Sequence, residues 1–97
     1  MYAVIFRAKV GELDQAYKEA IGRMKSLAFE EYGCLEFYAL MEGDQRIAIS
    51  YWNSEDDIRR WKNNSEHLES QTQGRKKWYE SYSVQVVKVE REYSHKT

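Results

Sequence analysis

Cysteine is almost missing from this chain. A single thiol, Cys34, in 97 residues can close no internal disulfide, and no cluster of partner ligands accompanies it for a zinc site. Such a lone cysteine is expected to behave as a small buried or half-buried apolar group. Long hydrophobic runs are missing too. The opening MYAVIFRAKV is apolar only briefly before Arg7 and Lys9 interrupt it. That is too short for a membrane span, and it lacks the basic n-region of a signal peptide. A cytoplasmic protein without a membrane partner is therefore expected. Neither sign of charge dominates: the formal net charge is -1 and both signs are interspersed, which argues against the basic face that nucleic-acid binding needs. The short basic run Arg75-Lys76-Lys77 reads as a solvated helix end. There is no phosphate-cradling glycine loop, no nucleophile elbow beside a histidine, no repeat, no linker and no low-complexity segment.

What is present is a globular composition, 42% hydrophobic and 32% charged, with an aromatic content of 14% that includes eight tyrosines. Tyrosine has an apolar body and a polar tip, so the excess suits half-buried surfaces such as an interface or a pocket for a planar ligand. The length fits one domain over residues 1–97, with 94–97 a loose tail. The three tryptophans and one of the two histidines all fall between Tyr51 and Tyr82, so the walls of any pocket should come from that stretch.

Residues Tyr2 to Lys9 alternate as a strand. Tyr2, Val4, Phe6 and Ala8 share one face; Ala3, Ile5, Arg7 and Lys9 share the other. Apolar residues on both faces predict a central strand. From Leu13 to about Glu30 the residues Leu13, Ala16, Tyr17, Ala20, Met24, Leu27 and Ala28 form a helical stripe. Gly22 lies within it, where close backbone packing would suit it, and Gly33 lies just beyond, where a left-handed cap is common. Cys34 to Glu42 and Arg46 to Trp52 read as a hairpin turning at Gly43, Asp44 and Gln45. Ser54-Glu55-Asp56-Asp57 starts a second helix with a capping residue and acid in the first turn. Its stripe runs through Ile58, Trp61, Ser65, Leu68 and Thr72. Asn63-Asn64-Ser65 predicts a break, with a restart from Ser65 to Gln73 ended by Gly74. Tyr79 to Tyr93 reads as a long last strand.

The order strand, helix, strand, strand, helix, strand predicts an α+β, ferredoxin-like βαββαβ fold: a four-stranded antiparallel sheet with both helices on one face. The helix-free face keeps apolar residues, which predicts a homodimer made by packing two sheets together. The element order and the spacing Tyr51, Trp52, Ser54, Ile58, Trp61, His67 resemble the antibiotic biosynthesis monooxygenase family of dimeric α/β barrels. The tail spacing Gly74-Arg75, Trp78-Tyr79, Tyr82, Val84, Val87, Glu90-Arg91, Tyr93 adds to the resemblance. What it implies is a pocket between sheet and helices and, in some members, oxygenation of phenolic or quinol substrates without metal, flavin or haem. There, deprotonation yields an electron-rich anion that reacts with dioxygen. Related barrels degrade haem; the first-strand neighbourhood Ile5, Phe6, Arg7 and the short interval from Trp61 to His67 depart from that pattern.

Individual residues carry paired readings. Trp61 is a candidate for stacking on a planar ring and hydrogen-bonding through its indole N–H, or is the largest core side chain. His67 is the titratable group placed to take a phenolic proton, or is an exposed helix histidine beside Glu66 and Glu69. Asn64, or Asn63, is a candidate donor to the substrate oxygen. Trp52, Tyr51, Tyr82 and Phe6 are candidate pocket walls, and Tyr17, Tyr38 and Tyr79 belong to the same group, each with a core or interface alternative. Two functions follow. One is a cofactor-independent monooxygenase acting on an aromatic, phenolic or quinol-like small molecule. The other is a non-catalytic dimeric barrel that binds a small hydrophobic ligand or a partner.

Overall fold

β1 (Tyr2–Val10) runs through the middle of a four-stranded sheet of order β2-β3-β1-β4 in the computed structural model, which describes residues 1–64, 67–69, 72 and 77–97. The other elements follow in chain order as α1 (Gln15–Glu31), β2 (Glu36–Glu42), β3 (Gln45–Trp52), α2 (Glu55–Lys62) and β4 (Tyr79–Lys88). β1 pairs antiparallel with β3 and β4, and β2 with β3. This is the ferredoxin-like α+β arrangement expected from the order of periodicities. Among the described residues no helix is long and apolar enough to cross a membrane.

Parity decides which side chains meet the helices. Val4 of β1 stands opposite Ser50 of β3 and Val86 of β4, and Phe6 stands opposite Ala48 and Val84. Val4, Ala48, Ser50 and Trp52 are buried on this inner face. The core gathers Val4, Met24, Leu27, Ala28, Cys34, Trp52, Ile58 and Trp61. Cys34 is the buried small group expected of it, its thiol held above the usual value by burial.

Helix α1 opens one residue after Asp14, whose carboxylate accepts the Tyr17 N–H at 2.9 Å. Leu13 therefore precedes the cap and is exposed, rather than starting the buried stripe. Gly33 follows the end with φ of 78°, and the Cys34 N–H donates to the Ala28 carbonyl. Gly22 does not serve close packing: a methyl group added there meets nothing within 4 Å. The hairpin turns through Gly43 and Asp44 alone, with the positive φ at Gly43. β4 stops at Lys88, short of the expected Tyr93. Lys88 pairs with Tyr2, the first residue of β1, so beyond the Val89 N–H bond to Met1 no partner strand remains.

The second helix breaks where its asparagines predict. α2 begins at its cap Ser54, which accepts the Asp57 N–H, and ends at Asn63. Residues 67–69 are helical again. The expected positions Ser65, Gln73 and Gly74, and the basic pair Arg75-Lys76, lie outside the described residues. The break resets the helical phase, and Leu68, expected inward, is exposed.

Candidate active site

A cavity of about 110 Å³ lies between the inner face of the sheet and the helical layer. Its floor is Val4, Phe6, Ala48 and Val84, and α1 contributes Ala20, Ile21 and Met24. Ala20 and Ala48 put small side chains on opposing walls, so the layers do not close there. Nearly all of the lining is apolar or aromatic. Its ionisable groups are Arg46, Lys62, His67, Tyr79 and Tyr82.

At one end Trp61 stands against Phe37 and Trp52, with ring centroids 6.3 and 5.1 Å away, and the His67 imidazole meets it edge-on at 4.5 Å. Trp61 lines the cavity with its ring, but its indole N–H donates to the Met24 carbonyl at 3.1 Å. That bond locks α2 to α1 and leaves Trp61 only an apolar surface to offer a ligand. His67 also lines the cavity. Burial, and secondarily the charge of Lys62, lowers its pKa to about 4, so the ring is neutral at neutral pH. Among the described residues its buried Nδ1 has no hydrogen-bond partner.

Asn64 holds this end together from outside the cavity. Its amide donates to the Tyr32 hydroxyl at 3.0 Å, and its oxygen accepts the His67 backbone N–H at 3.4 Å. It thus caps the turn that carries His67 and does not reach the cavity. Asn63 is the exposed C-cap of α2. Trp52 is fully buried beneath Trp61 and donates to Ser50 Oγ at 2.9 Å, so it braces the wall without forming it. Tyr51 has the opposite parity to Ser50 and Trp52 and faces away from the helices. Tyr38, paired with Ile49, lies on that far face as well. Of the residues singled out from sequence, Trp61, His67, Phe6, Tyr82 and Tyr79 meet at the cavity.

Tyr79 reaches it through an irregularity. The β1–β4 register shifts between Lys9 and Val10: Lys9 pairs with Ser81, and Val10 with Tyr79. The extra residue turns Tyr79 to the inner face, which plain alternation from Tyr82 and Val84 would have denied it. Phe6 then lies 5.3 Å from Tyr79 and 5.7 Å from Tyr82, centroid to centroid. Burial, then the neighbouring Tyr17, pushes the Tyr79 hydroxyl above the usual phenol value.

Sequence profiles of known families place this architecture. That of the antibiotic biosynthesis monooxygenase family matches residues 1–73. The chain belongs to this family. The uncharacterized protein YqjZ of Bacillus subtilis (strain 168) is 45% identical over 92 residues, 94% of this chain and 81% of that protein. Among solved structures, Rv0793 from Mycobacterium tuberculosis superposes with a TM-score of 0.80 at 18% identity, covering 96% of this chain and 98% of that one. SnoaB from Streptomyces nogalater, described as a cofactor-independent oxygenase, superposes at 0.79 with 15% identity and covers 97% of each chain. At these identities the structural likeness is one of fold.

Wall residues that no pattern in the sequence names individually include Trp78 and Arg46. Trp78 lines the cavity, with its indole N–H on Asp14 at 3.1 Å. Arg46 lines it from β3 and is 9% exposed. Arg46 was visible in principle: it continues the parity of Ala48, Ser50 and Trp52, so an inward strand position carries a cation.

Proposed function

We propose that this chain is a cofactor-independent monooxygenase of a phenolic or quinol-like small molecule, working as a homodimer. The observation that carries the reading is the convergence of a neutral, unpartnered imidazole, His67, and the Trp61 ring on one apolar cavity. The ring of the substrate lies against Phe6 and Trp61, which hold it by area and edge contacts. The His67 imidazole accepts the phenolic hydrogen. The resulting electron-rich ring reacts with dioxygen. For a quinol-type substrate one oxygen atom enters the ring carbon, and the other leaves as water with two hydrogens taken from the substrate. The apolar walls keep bulk water from the intermediate. Asn64 is a positioning residue in this scheme, acting by capping the His67 turn. Dimerisation uses the helix-free face, where Tyr38, Leu40, Ile47 and Val87 are exposed together.

The test is oxygen uptake by metal-free, flavin-free protein over a panel of hydroquinones and naphthols, corrected for autoxidation. Turnover is expected, and His67→Ala is expected to lower kcat about a hundredfold, the scale of one positioned acid–base group. Full activity in His67→Ala removes the imidazole from the chemistry. A panel without uptake, with the fold intact by circular dichroism, leaves a binding barrel instead.

A further inference from the structure

The end of the cavity opposite His67 is built around a charge. Arg46 is one of the two buried polar residues of the described core, the other being Ser50, which already bonds Trp52. Among the described residues no carboxylate lies within ion-pair distance of the guanidinium, and its Nε is buried without a hydrogen-bond partner. Tyr17 offers only its ring face, with the guanidinium carbon 5.8 Å from the ring centroid. The Tyr17 hydroxyl is likewise buried, and the Tyr79 hydroxyl lies beside it. Among the described residues Arg46 Nε and His67 Nδ1 are buried side-chain atoms without a hydrogen-bond partner, and both residues line this cavity.

A guanidinium has five N–H donors and no acceptor, and cannot shed its proton to escape burial. A buried charge left uncompensated in this way is costly, so its natural complement is an anion supplied from outside the chain. The rest of the space sets the anion's shape. The cavity, about 110 Å³, is of the order of the ~150 Å³ apolar cavity that takes benzene. One pleat repeat, roughly 7 Å, separates the Arg46 level of β3 from Ala48 and its neighbour Phe6, so a ring on Phe6 puts an attached oxygen beside the guanidinium.

We propose that the cavity takes a single-ring aromatic anion whose ionised oxygen pairs with Arg46 while its ring lies on Phe6 and Ala48. This rests on reading the cavity as the substrate site and narrows that site to acidic aromatic molecules. It also orients the substrate, with its acidic group at Arg46 and the far edge of its ring toward His67.

Isothermal titration without turnover tests it, using 4-hydroxybenzoate, its uncharged analogue 4-hydroxybenzamide, and 4-nitrophenolate. The wild-type protein is expected to bind one or both anions at least tenfold more tightly than the amide. The carboxylate and the phenolate arms tell the two kinds of acid apart. Arg46→Met should abolish the preference while changing amide binding less than twofold, and Arg46→Lys should retain part of it. The ligand-free Arg46→Met protein should melt several degrees higher, which shows that it is folded. Equal binding of acid and amide, a preference that survives Arg46→Met, or no saturable binding of either anion at millimolar concentration overturns the proposal. Because the readout is equilibrium binding, oxygen uptake without an anion preference fails this inference alone, and an anion preference without oxygen uptake fails only the oxygenase reading.

Discussion

His67 shows how much a single residue depends on where it is folded. The same imidazole in an exposed turn would titrate near its ordinary value of 6.5; buried beside Trp61 it titrates at about 4. The sign of the consequence is fixed. Between these two values the unfolded chain binds a proton that the folded chain refuses, so this group's contribution to stability falls as the pH drops from about 6.5 toward 4 and is constant outside that window. Lowering the pH from 7 to 5 should cost about 2 kcal/mol through His67 alone. Urea unfolding of wild type and His67→Gln at the two pH values measures it: the wild type should lose that much more than the variant. An equal loss in both would show that His67 is not held neutral by the fold. The same low value means that a proton taken from a phenol does not rest on His67 as a free cation. In the proposed oxygenase it stays paired with the substrate anion it leaves behind.

The helices illustrate what a stripe predicts and where it stops. α1 follows its sequence pattern from Tyr17 through Met24, Leu27 and Ala28, because one unbroken helix keeps one phase. Gly22 sits on its open side, so Gly22→Ala adds helix propensity without a clash. It should stabilise the protein by up to about 1 kcal/mol, read as a shift of the denaturation midpoint at unchanged slope. A destabilised variant would mean that something approaches that face in solution. α2 behaves differently. Its start and its break were legible from Ser54 and from Asn63-Asn64. The phase after the break was not, since a break adds an arbitrary rotation. A stripe drawn through it puts Leu68 inward, whereas the chain turns His67 inward and leaves Leu68 exposed.

At the scale of the molecule, the described helices lie on one face of the sheet. On the other, Leu40 is 74% exposed and Tyr38 56%, and with Ile47 and Val87 they make a patch that a soluble monomer rarely leaves open. A second copy of the same sheet is the occupant we propose. Leu40→Glu combined with Ile47→Lys should weaken self-association at least a hundredfold and yield a monomer by sedimentation velocity at micromolar concentration. A wild-type protein that already sediments as a monomer rejects the dimer.

The sequence by itself determined the order of elements, the faces of the strands, the Ser54 start of α2, the Gly33 stop after α1 and the break after α2. These are local properties: hydrophobic period, turn residues and side chains that compete for backbone hydrogen bonds. It also placed Trp61, His67 and Tyr82 among the candidates, because aromatic and imidazole side chains in one stretch are visible without coordinates, and Phe6 on the first strand beside them. Tertiary structure decided the rest. It consumed the Trp61 indole N–H on α1, sent Tyr51 to the far face, and spent Asn64 on Tyr32 and the His67 turn. A register shift in β4 turned Tyr79 inward. Above all it left Arg46 inside an apolar cavity without a counter-charge among the described residues, a fact that belongs to no segment. Strand parity can say that a cation points inward, but only the packing of α1 and β4 around it says that nothing in the described chain answers it.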